Sequence, residues 1–128
     1  MSDSPARTRI YETPPDVRLC PIDQIADPGA RNFVLQIRDA FFHGFVVRRG
    51  DQVHGFVDSC PHMGLPLSQK LDDYLTPRKD YIVCAWHGAL FRPEDGVCVG
   101  GPCTGQRLRP WPVRVEDGWL KTGAKREG

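Results

Sequence analysis

The chain has 128 residues, with 17 lysines and arginines against 16 aspartates and glutamates, and a formal net charge of +1. This length suits one domain with a single hydrophobic core and leaves no room for a separate catalytic domain. The balanced charge argues against a nucleic acid or a membrane surface as partner, and no apolar run approaches the roughly 20 residues of a membrane helix.

The first 16 residues predict a flexible N-terminal arm. They are polar, and Pro5, Pro14 and Pro15 interrupt regular structure. They also lack the charged and apolar regions of a secretory signal peptide. We therefore expect a cytoplasmic protein whose ordered structure begins near residue 17.

The segment from residue 17 to residue 57 is predicted to form strands. Its runs rich in β-branched and aromatic residues lie at 17–25, 33–37, 41–48 and 53–57. The sequences Asp27-Pro28-Gly29 and Gly50-Asp51-Gln52 contain the residue types that favour turns. This part of the chain is therefore predicted to form consecutive strands.

The second half of the chain has shorter elements. Residues 69–75 predict one helical turn that ends before Pro77, and residues 93–96 and 116–118 are predicted turns. The predicted strands are 81–84, 90–91, 97–99, 113–115 and 119–122, the last two forming a hairpin. Many short strands with closely spaced turns predict an all-β sandwich or barrel.

Two short motifs carry the chemistry: C-P-H at residues 60–62 and C-A-W-H at residues 84–87. Each pairs a thiol with an imidazole at a spacing that suits a loop, because ligands on a helical face recur at i+3 or i+4. Thiolates select iron–sulfur clusters, zinc or copper(I), and imidazole is compatible with zinc and iron. The four side chains are therefore candidate ligands of one metal site.

With their flanking residues, these motifs resemble the Rieske [2Fe-2S] family. A glycine follows each pair, at Gly64 and Gly88, and a Gly-Gly-Pro sequence stands at 100–102, where the family has a third loop. Residues 108–120 resemble the closing hairpin of the family. The resemblance covers about residues 31–122.

The resemblance implies one [2Fe-2S] cluster per chain. Its implied ligands are Cys60, His62, Cys84 and His87, and its implied cluster-shielding residues are Met63, Gly64, Leu65, Trp86, Gly88 and Pro102. It also implies one Rieske domain over residues 17–122, an antiparallel β-sandwich or barrel. In this domain residues 59–105 would form a small inserted cluster-binding lobe. Residues 123–128 follow the domain and, as a polar and basic segment, are expected to be a frayed tail.

The function implied by the resemblance is one-electron transfer by a soluble ferredoxin. Two histidines in place of two cysteines remove negative charge from the cluster and make its reduced state easier to reach. The expected partners are a reductase that supplies electrons and a terminal oxygenase or related reductase that receives them. No catalytic residue, organic substrate, nucleic acid or membrane is expected.

The sequence departs from the high-potential members of the family. Those members carry a further cysteine in each cluster loop, joined as a disulfide, where this chain has Leu65 and Trp86. They also place a serine and a tyrosine hydroxyl against the cluster sulfurs, where this chain has Ala89 and Phe91. Because hydrogen bonds to sulfur stabilise the reduced cluster, we predict a potential toward the lower end of the roughly −150 to +300 mV Rieske range.

Two other functions remain open. A structural zinc-binding interaction module uses the same ligand types, although zinc motifs usually pair C-x₂₋₄-C with H-x₃₋₅-H. A small Rieske subunit of a larger reductase, similar to those of nitrite reductases, is the alternative within redox chemistry. A stand-alone Rieske oxygenase is disfavoured because no second domain is present for mononuclear iron, and His43 and His54 are assigned no function.

Cys20, Cys98 and Cys103 are left outside the predicted ligand set. An odd number of remaining cysteines is typical of reduced thiols rather than of a disulfide framework. Cys98 and Cys103 flank the predicted third loop. Residues 68–80 form a charged insert that is either a partner-docking surface or a solvated loop.

Overall fold

The computed structural model describes residues 8–59, 67, 74–84, 88–101 and 104–123. Within these ranges, eleven strands and one 3₁₀ turn, Ile22–Gln24, are present. The strands are β1 (Thr8–Ile10), β2 (Arg18–Pro21), β3 (Gly29–Ile37), β4 (Ala40–Arg49), β5 (Gln52–Val57), β6 (Ile82–Val83), β7 (Leu90–Phe91), β8 (Cys98–Gly100), β9 (Pro110–Trp111), β10 (Val113–Glu116) and β11 (Trp119–Thr122). The all-β prediction is confirmed. No helix in the described ranges is long and apolar enough to cross a membrane.

β4 is the central strand of the largest sheet. It pairs antiparallel with β3 along the whole of that strand, from Gly29 opposite Arg48 to Ile37 opposite Ala40. The other edge of β4 is shared by β5, which is antiparallel to it, and by β1, which is parallel to its first residues. β9 then pairs with the free side of β5.

The side chains of β4 enter two separate hydrophobic cores, because successive residues of a strand point to opposite faces. The lobe core consists of the buried residues Phe45, Val47, Phe56, Leu67, Tyr74, Ile82, Cys84, Ala89, Phe91, Cys98 and Leu108. The basal core consists of the buried residues Cys20, Ile25, Phe33, Phe42, Val46, Val57, Trp111 and Leu120. The large sheet therefore separates the two cores.

A second sheet, ordered β10–β11–β2, covers the basal core. β10 and β11 form the predicted hairpin, and its two turn residues, Asp117 and Gly118, have φ angles of 55° and 79°. Positive φ at both central residues is typical of a type I′ turn, whose twist matches that of paired strands. Leu120 on β11 is fully buried in the basal core.

A third sheet, ordered β6–β7–β8, covers the lobe core. Its strands have only two, two and three residues. Ile82, Phe91 and Cys98 each point into the lobe core and are at most 2% exposed. This sheet lies in sequence within the range 59–105 that was predicted to hold a metal site.

Residues 8–16 are attached to the sheets, although the sequence predicted an arm of little structure there. β1 pairs with β4, the Thr122 hydroxyl donates a hydrogen bond to the Pro14 carbonyl (2.7 Å), and the Arg114 guanidinium donates to the Asp16 carboxylate (2.5 Å). Proline lacks a backbone donor but keeps its carbonyl acceptor, so Pro14 can still be bound by Thr122. The pairing of β1 with β4 is a contact with a strand distant in sequence, which no local pattern indicates. The remaining parts of the predicted arm and tail, residues 1–7 and 124–128, lie outside the described residues.

Two further elements differ from the sequence prediction. β9 was not predicted because Pro110 cannot donate to a ladder, and a proline is tolerated only at a sheet edge or a strand start. Leu75 forms an antiparallel bridge with Ile82 where the sequence predicted a helical turn. Residues 69–73 of that predicted turn lie outside the described residues.

Candidate metal centre

Of the four predicted ligands, the structure describes Cys84. Of the predicted shielding residues it describes Gly88. The other predicted ligands and shielding residues, Cys60, His62, Met63, Gly64, Leu65, Trp86, His87 and Pro102, lie outside the described residues. The geometry of the site is therefore built from the segments that lead into and out of each loop.

The second predicted ligand loop is a hairpin between β6 and β7. The Cys84 N–H donates to the Ala89 carbonyl (2.8 Å), and the Gly88 N–H donates to the Cys84 carbonyl (2.9 Å). Gly88 has a φ of +70°, a conformation that glycine adopts without steric cost. Cys84 itself is 0% exposed and belongs to the lobe core. The hairpin therefore holds a buried sulfur where the loop begins.

The third predicted loop contacts the second. Gly101 follows β8 directly, and a Cβ atom added to it would lie 2.8 Å from Cα of Ala89. Only glycine allows this approach of the two backbones. The base of the third loop is closed by Cys98, whose N–H donates to the Gln106 carbonyl (2.7 Å) and whose carbonyl accepts from the Gly105 N–H (3.2 Å).

The first predicted ligand loop starts where β5 ends. The Asp58 N–H donates to the His43 carbonyl (3.0 Å), which continues the pairing of β5 with β4 by one residue. The Asp58 side chain is buried, and its Oδ1 accepts a hydrogen bond from the Leu67 N–H at 2.8 Å. Sequence reasoning missed Asp58; the available signal was an acidic residue at the end of an apolar strand, just before the first motif.

The described residues fit an iron–sulfur cluster. A thiolate buried in an apolar core is strongly disfavoured unless a metal compensates its charge. Cys84 is a buried thiol where the second loop begins, a place where a bound metal could compensate the charge of its thiolate, and Gly101 of the third loop lies against Ala89 of the same hairpin. Among the described residues alone, no group of three or more His, Cys, Asp or Glu side chains is gathered, and three of the predicted ligands lie outside that set.

The two other histidines lie on strands of the large sheet, at positions that were assigned no function. His43 is on β4, and its carbonyl is engaged by Asp58. His54 is on β5 and is half-buried. Burial lowers the pKa of His54 below its ordinary value, an effect that Glu94 opposes and Arg49 reinforces.

Several solved structures share this fold. A chain from the complex of reduced oxygenase and oxidized ferredoxin in carbazole 1,9a-dioxygenase is 27% identical, with 81% of this chain and 97% of that chain covered and a TM-score of 0.64. The ferredoxin of carbazole 1,9a-dioxygenase from Nocardioides aromaticivorans IC177 is 22% identical, with 88% and 100% covered and a TM-score of 0.65. A chain from the reduced complex between oxygenase and ferredoxin is 22% identical, with 88% and 28% covered and a TM-score of 0.70. A search of curated proteins found no significant match.

The family model of the Rieske [2Fe-2S] domain matches residues 17–117. This range covers most of the chain and contains both Cys/His motifs and the third loop. It includes every described strand except β1 and β11. Its cofactor is a [2Fe-2S] cluster. The chain belongs to the Rieske [2Fe-2S] domain family.

Proposed function

We propose that the chain is a Rieske ferredoxin, a one-electron carrier that takes electrons from a reductase and delivers them to an oxygenase. The match of the family model to residues 17–117 is the observation that carries this proposal. The 27% identical chain, 97% of which is covered, supports it because it comes from a complex of an oxygenase with a ferredoxin.

When bound, the cluster takes up and releases a single electron. We propose Cys60, His62, Cys84 and His87 as its ligands. The part of this arrangement that the structure supports is the burial of Cys84 at the base of the β6–β7 hairpin, which keeps water from the sulfur. Cluster shielding by Met63, Gly64, Leu65, Trp86, Gly88 and Pro102 stays a proposal.

Two buried side chains without hydroxyl groups bear on the midpoint potential of the cluster. Ala89 and Phe91 flank the outgoing end of the second loop, and both are 0% exposed. Since neither can donate a hydrogen bond to sulfur, we expect a midpoint toward the lower end of the roughly −150 to +300 mV Rieske range. Protein-film voltammetry at neutral pH measures it, and a midpoint near the upper end contradicts the expectation.

The same argument can be tested by adding a hydroxyl group. Ala89→Ser should raise the midpoint potential if the new hydroxyl reaches a cluster sulfur. Val99→Thr is the matched control, because Val99 is 45% exposed on the same lobe and a hydroxyl there meets solvent. Equal shifts in both variants would contradict a specific effect at Ala89.

The partners of the carrier are proposed by chemical class: a reductase that supplies electrons and a terminal oxygenase or related reductase that receives them. Solved relatives are complexes of oxygenase with ferredoxin in carbazole 1,9a-dioxygenase, which supports an oxygenase as acceptor. We further propose that the protein works in the cytoplasm, where reduced thiols such as those expected here are the norm.

Rapid mixing tests the electron-carrier function. The purified protein should be coloured, accept one electron per chain from a reductase and lose it to an added oxygenase at a rate that supports turnover. The reduced protein should give the low-temperature paramagnetic signal of an asymmetrically ligated [2Fe-2S] cluster. A colourless protein with one zinc and no acid-labile sulfide would contradict the proposal and favour the zinc module.

A further inference from the structure

A buried polar network joins residues of the lobe core to Asp58, which stands two residues before the first predicted ligand, Cys60. Asp58 and Tyr74 are 4% and 2% exposed. The Tyr74 hydroxyl donates to Asp58 Oδ2 at 2.7 Å and accepts from Asn32 Nδ2 at 2.7 Å, while Asp58 Oδ1 accepts from the Leu67 N–H at 2.8 Å. The network thus joins residues that are far apart in the sequence.

One end of this network closes the first ligand loop. Asp58 and Leu67 stand on either side of the segment that carries Cys60 and His62. Their hydrogen bond is buried, and Leu67 is itself 0% exposed in the lobe core. The carboxylate therefore fixes where the first loop leaves β5 and where it returns to the core.

The other end reaches the second ligand loop. The Tyr74 carbonyl accepts a hydrogen bond from the Val83 N–H at 2.9 Å, and Val83 directly precedes Cys84. One residue, Tyr74, therefore holds Asp58 through its side chain and the strand leading to Cys84 through its backbone. A rigid route of two hydrogen bonds connects the start of the first loop with the start of the second.

Tyr74 is also fixed to the large sheet. Its ring stacks on Phe45 of β4, with centroids 4.2 Å apart and an angle of 6° between the planes. Asn32, which donates to its hydroxyl, lies on β3. Since both neighbours belong to the longest strands of the fold, the hydroxyl has a defined position from which to hold Asp58.

We propose that Asp58 and Tyr74 are positioning residues that set the separation of the two ligand-bearing loops and so determine how firmly the cluster is held. This inference rests on the proposed cluster site. An aspartate side chain suits the task because its two oxygens can accept from two separate donors at once. A hydrogen bond elsewhere in the core would stabilise the whole domain. The bonds of this network instead join the residues at which the two predicted ligand loops begin, so their loss should affect the loops first.

The test uses the full-length protein with its cluster bound and the variant Tyr74→Phe, which removes one hydroxyl and keeps the stacked ring. Tyr81→Phe is the matched control, because Tyr81 is exposed in the same lobe. Cluster loss is followed by visible absorbance in excess iron chelator, well below the unfolding temperature. We expect loss about five- to tenfold faster in Tyr74→Phe, as for the loss of one buried hydrogen bond, and a wild-type rate in Tyr81→Phe.

A second readout separates positioning from general stability. The reduced Tyr74→Phe protein should show shifted or broadened paramagnetic resonances, because the loops can then present the ligands in more than one geometry. Asp58→Asn, with the exposed Asp51→Asn as control, should show the same signature, since the amide nitrogen that replaces one carboxylate oxygen cannot accept from the Tyr74 hydroxyl while the remaining oxygen can still accept from the Leu67 N–H.

Wild-type resonances and wild-type cluster loss in both Tyr74→Phe and Asp58→Asn would overturn the proposal. So would cluster loss that occurs only over the temperature range in which the β-sheet circular dichroism disappears. The proposed function fails separately: it fails if the wild-type protein holds no [2Fe-2S] cluster or delivers no electron to an oxygenase. A wild-type protein that does both, with variants like their controls, refutes the positioning role alone.

Discussion

The two cores of the molecule are held together in different ways. Both cores pack against the large sheet, but the sheets on their outer sides differ: each strand of the β10–β11–β2 sheet over the basal core has four residues. The strands over the lobe core have two or three residues, and pairings this short are not stable by themselves. We therefore expect the basal core to contribute most of the stability of the fold, and the lobe to depend more on its loop contacts and, as proposed above, on the Asp58–Tyr74 network and the cluster.

Removal of a ligand should give the largest difference between the two regions. We expect Cys84→Ala to abolish cluster binding, because a methyl group cannot ligate iron, and to leave the amides of β3 and β4 protected from hydrogen exchange while those of β6 and β7 lose protection. Visible absorbance and exchange measured by NMR check both parts. Cys98→Ala, the same change at another buried cysteine of the lobe core, should keep the colour; a colourless Cys98→Ala protein would contradict the ligand assignment.

A cavity in the basal core should have the opposite effect. Phe42 is 0% exposed, and its ring centroid lies 4.6 Å from that of Trp111. We expect Phe42→Ala to lower the free energy of unfolding by about 3–5 kcal/mol while leaving the paramagnetic signal of the folded protein unchanged. Chemical denaturation followed by circular dichroism measures the loss. Phe41→Ala, at the half-buried neighbouring position, should cost clearly less; equal losses would show that the basal core is not the main source of stability.

A loop contact should have an intermediate effect confined to the lobe. Gly101→Ala introduces a Cβ 2.8 Å from Cα of Ala89 at a φ of +95°. Gly105→Ala has nearly the same backbone conformation, φ +93°, and meets no described atom within 4 Å. An alanine at a positive φ is strained in both variants, but only Gly101→Ala also adds the close contact with Ala89. We therefore expect Gly101→Ala to be less stable than Gly105→Ala by about 1–3 kcal/mol.

The measurement is the unfolding of the cluster-bound protein, followed at the visible absorbance of the cluster. If the two glycine variants unfold alike, the contact between the second and third loops does not contribute to the stability of the lobe.

The smallest expected effect concerns His54, on the large sheet. Because its native pKa is lowered by burial, the unfolded chain takes up a proton at this residue at a higher pH than the native chain does. The contribution of His54 to native stability is therefore fully present above the ordinary histidine pKa of 6.5 and is lost as the pH falls below it. In urea denaturation at several pH values, His54→Gln should lose less stability on acidification than the wild-type protein; an equal loss would contradict this account.

Much of the large sheet could be predicted from the sequence, because β-branched and aromatic residues are concentrated in β3, β4 and β5. The β10–β11 hairpin could also be predicted, since Asp117-Gly118 is a turn sequence with a specific conformation. β1 and β9 could not be predicted, because each is short and pairs with the edge of a longer strand that is distant in sequence. Pairing with a distant strand can decide the conformation of a short segment against its own β-propensity.

The candidate site shows the same limit. The Cys/His motifs are local in sequence and predict a metal site from residue types and spacing alone. The role of Asp58 depends on partners at Leu67 and Tyr74, which are brought to it by the fold. No local pattern distinguishes such a carboxylate from a solvated one, so its identification required the structure.

The hydrogen bonds at Thr122 have a practical consequence. The Asp16 N–H donates to the Thr122 carbonyl at 2.9 Å, and the Arg114 guanidinium binds both residues. The segment just before β2 and the end of β11 are thus held side by side on the basal half of the molecule. A surface linker joined after β11 would therefore leave from the basal half, on the side of the large sheet that faces away from the lobe core.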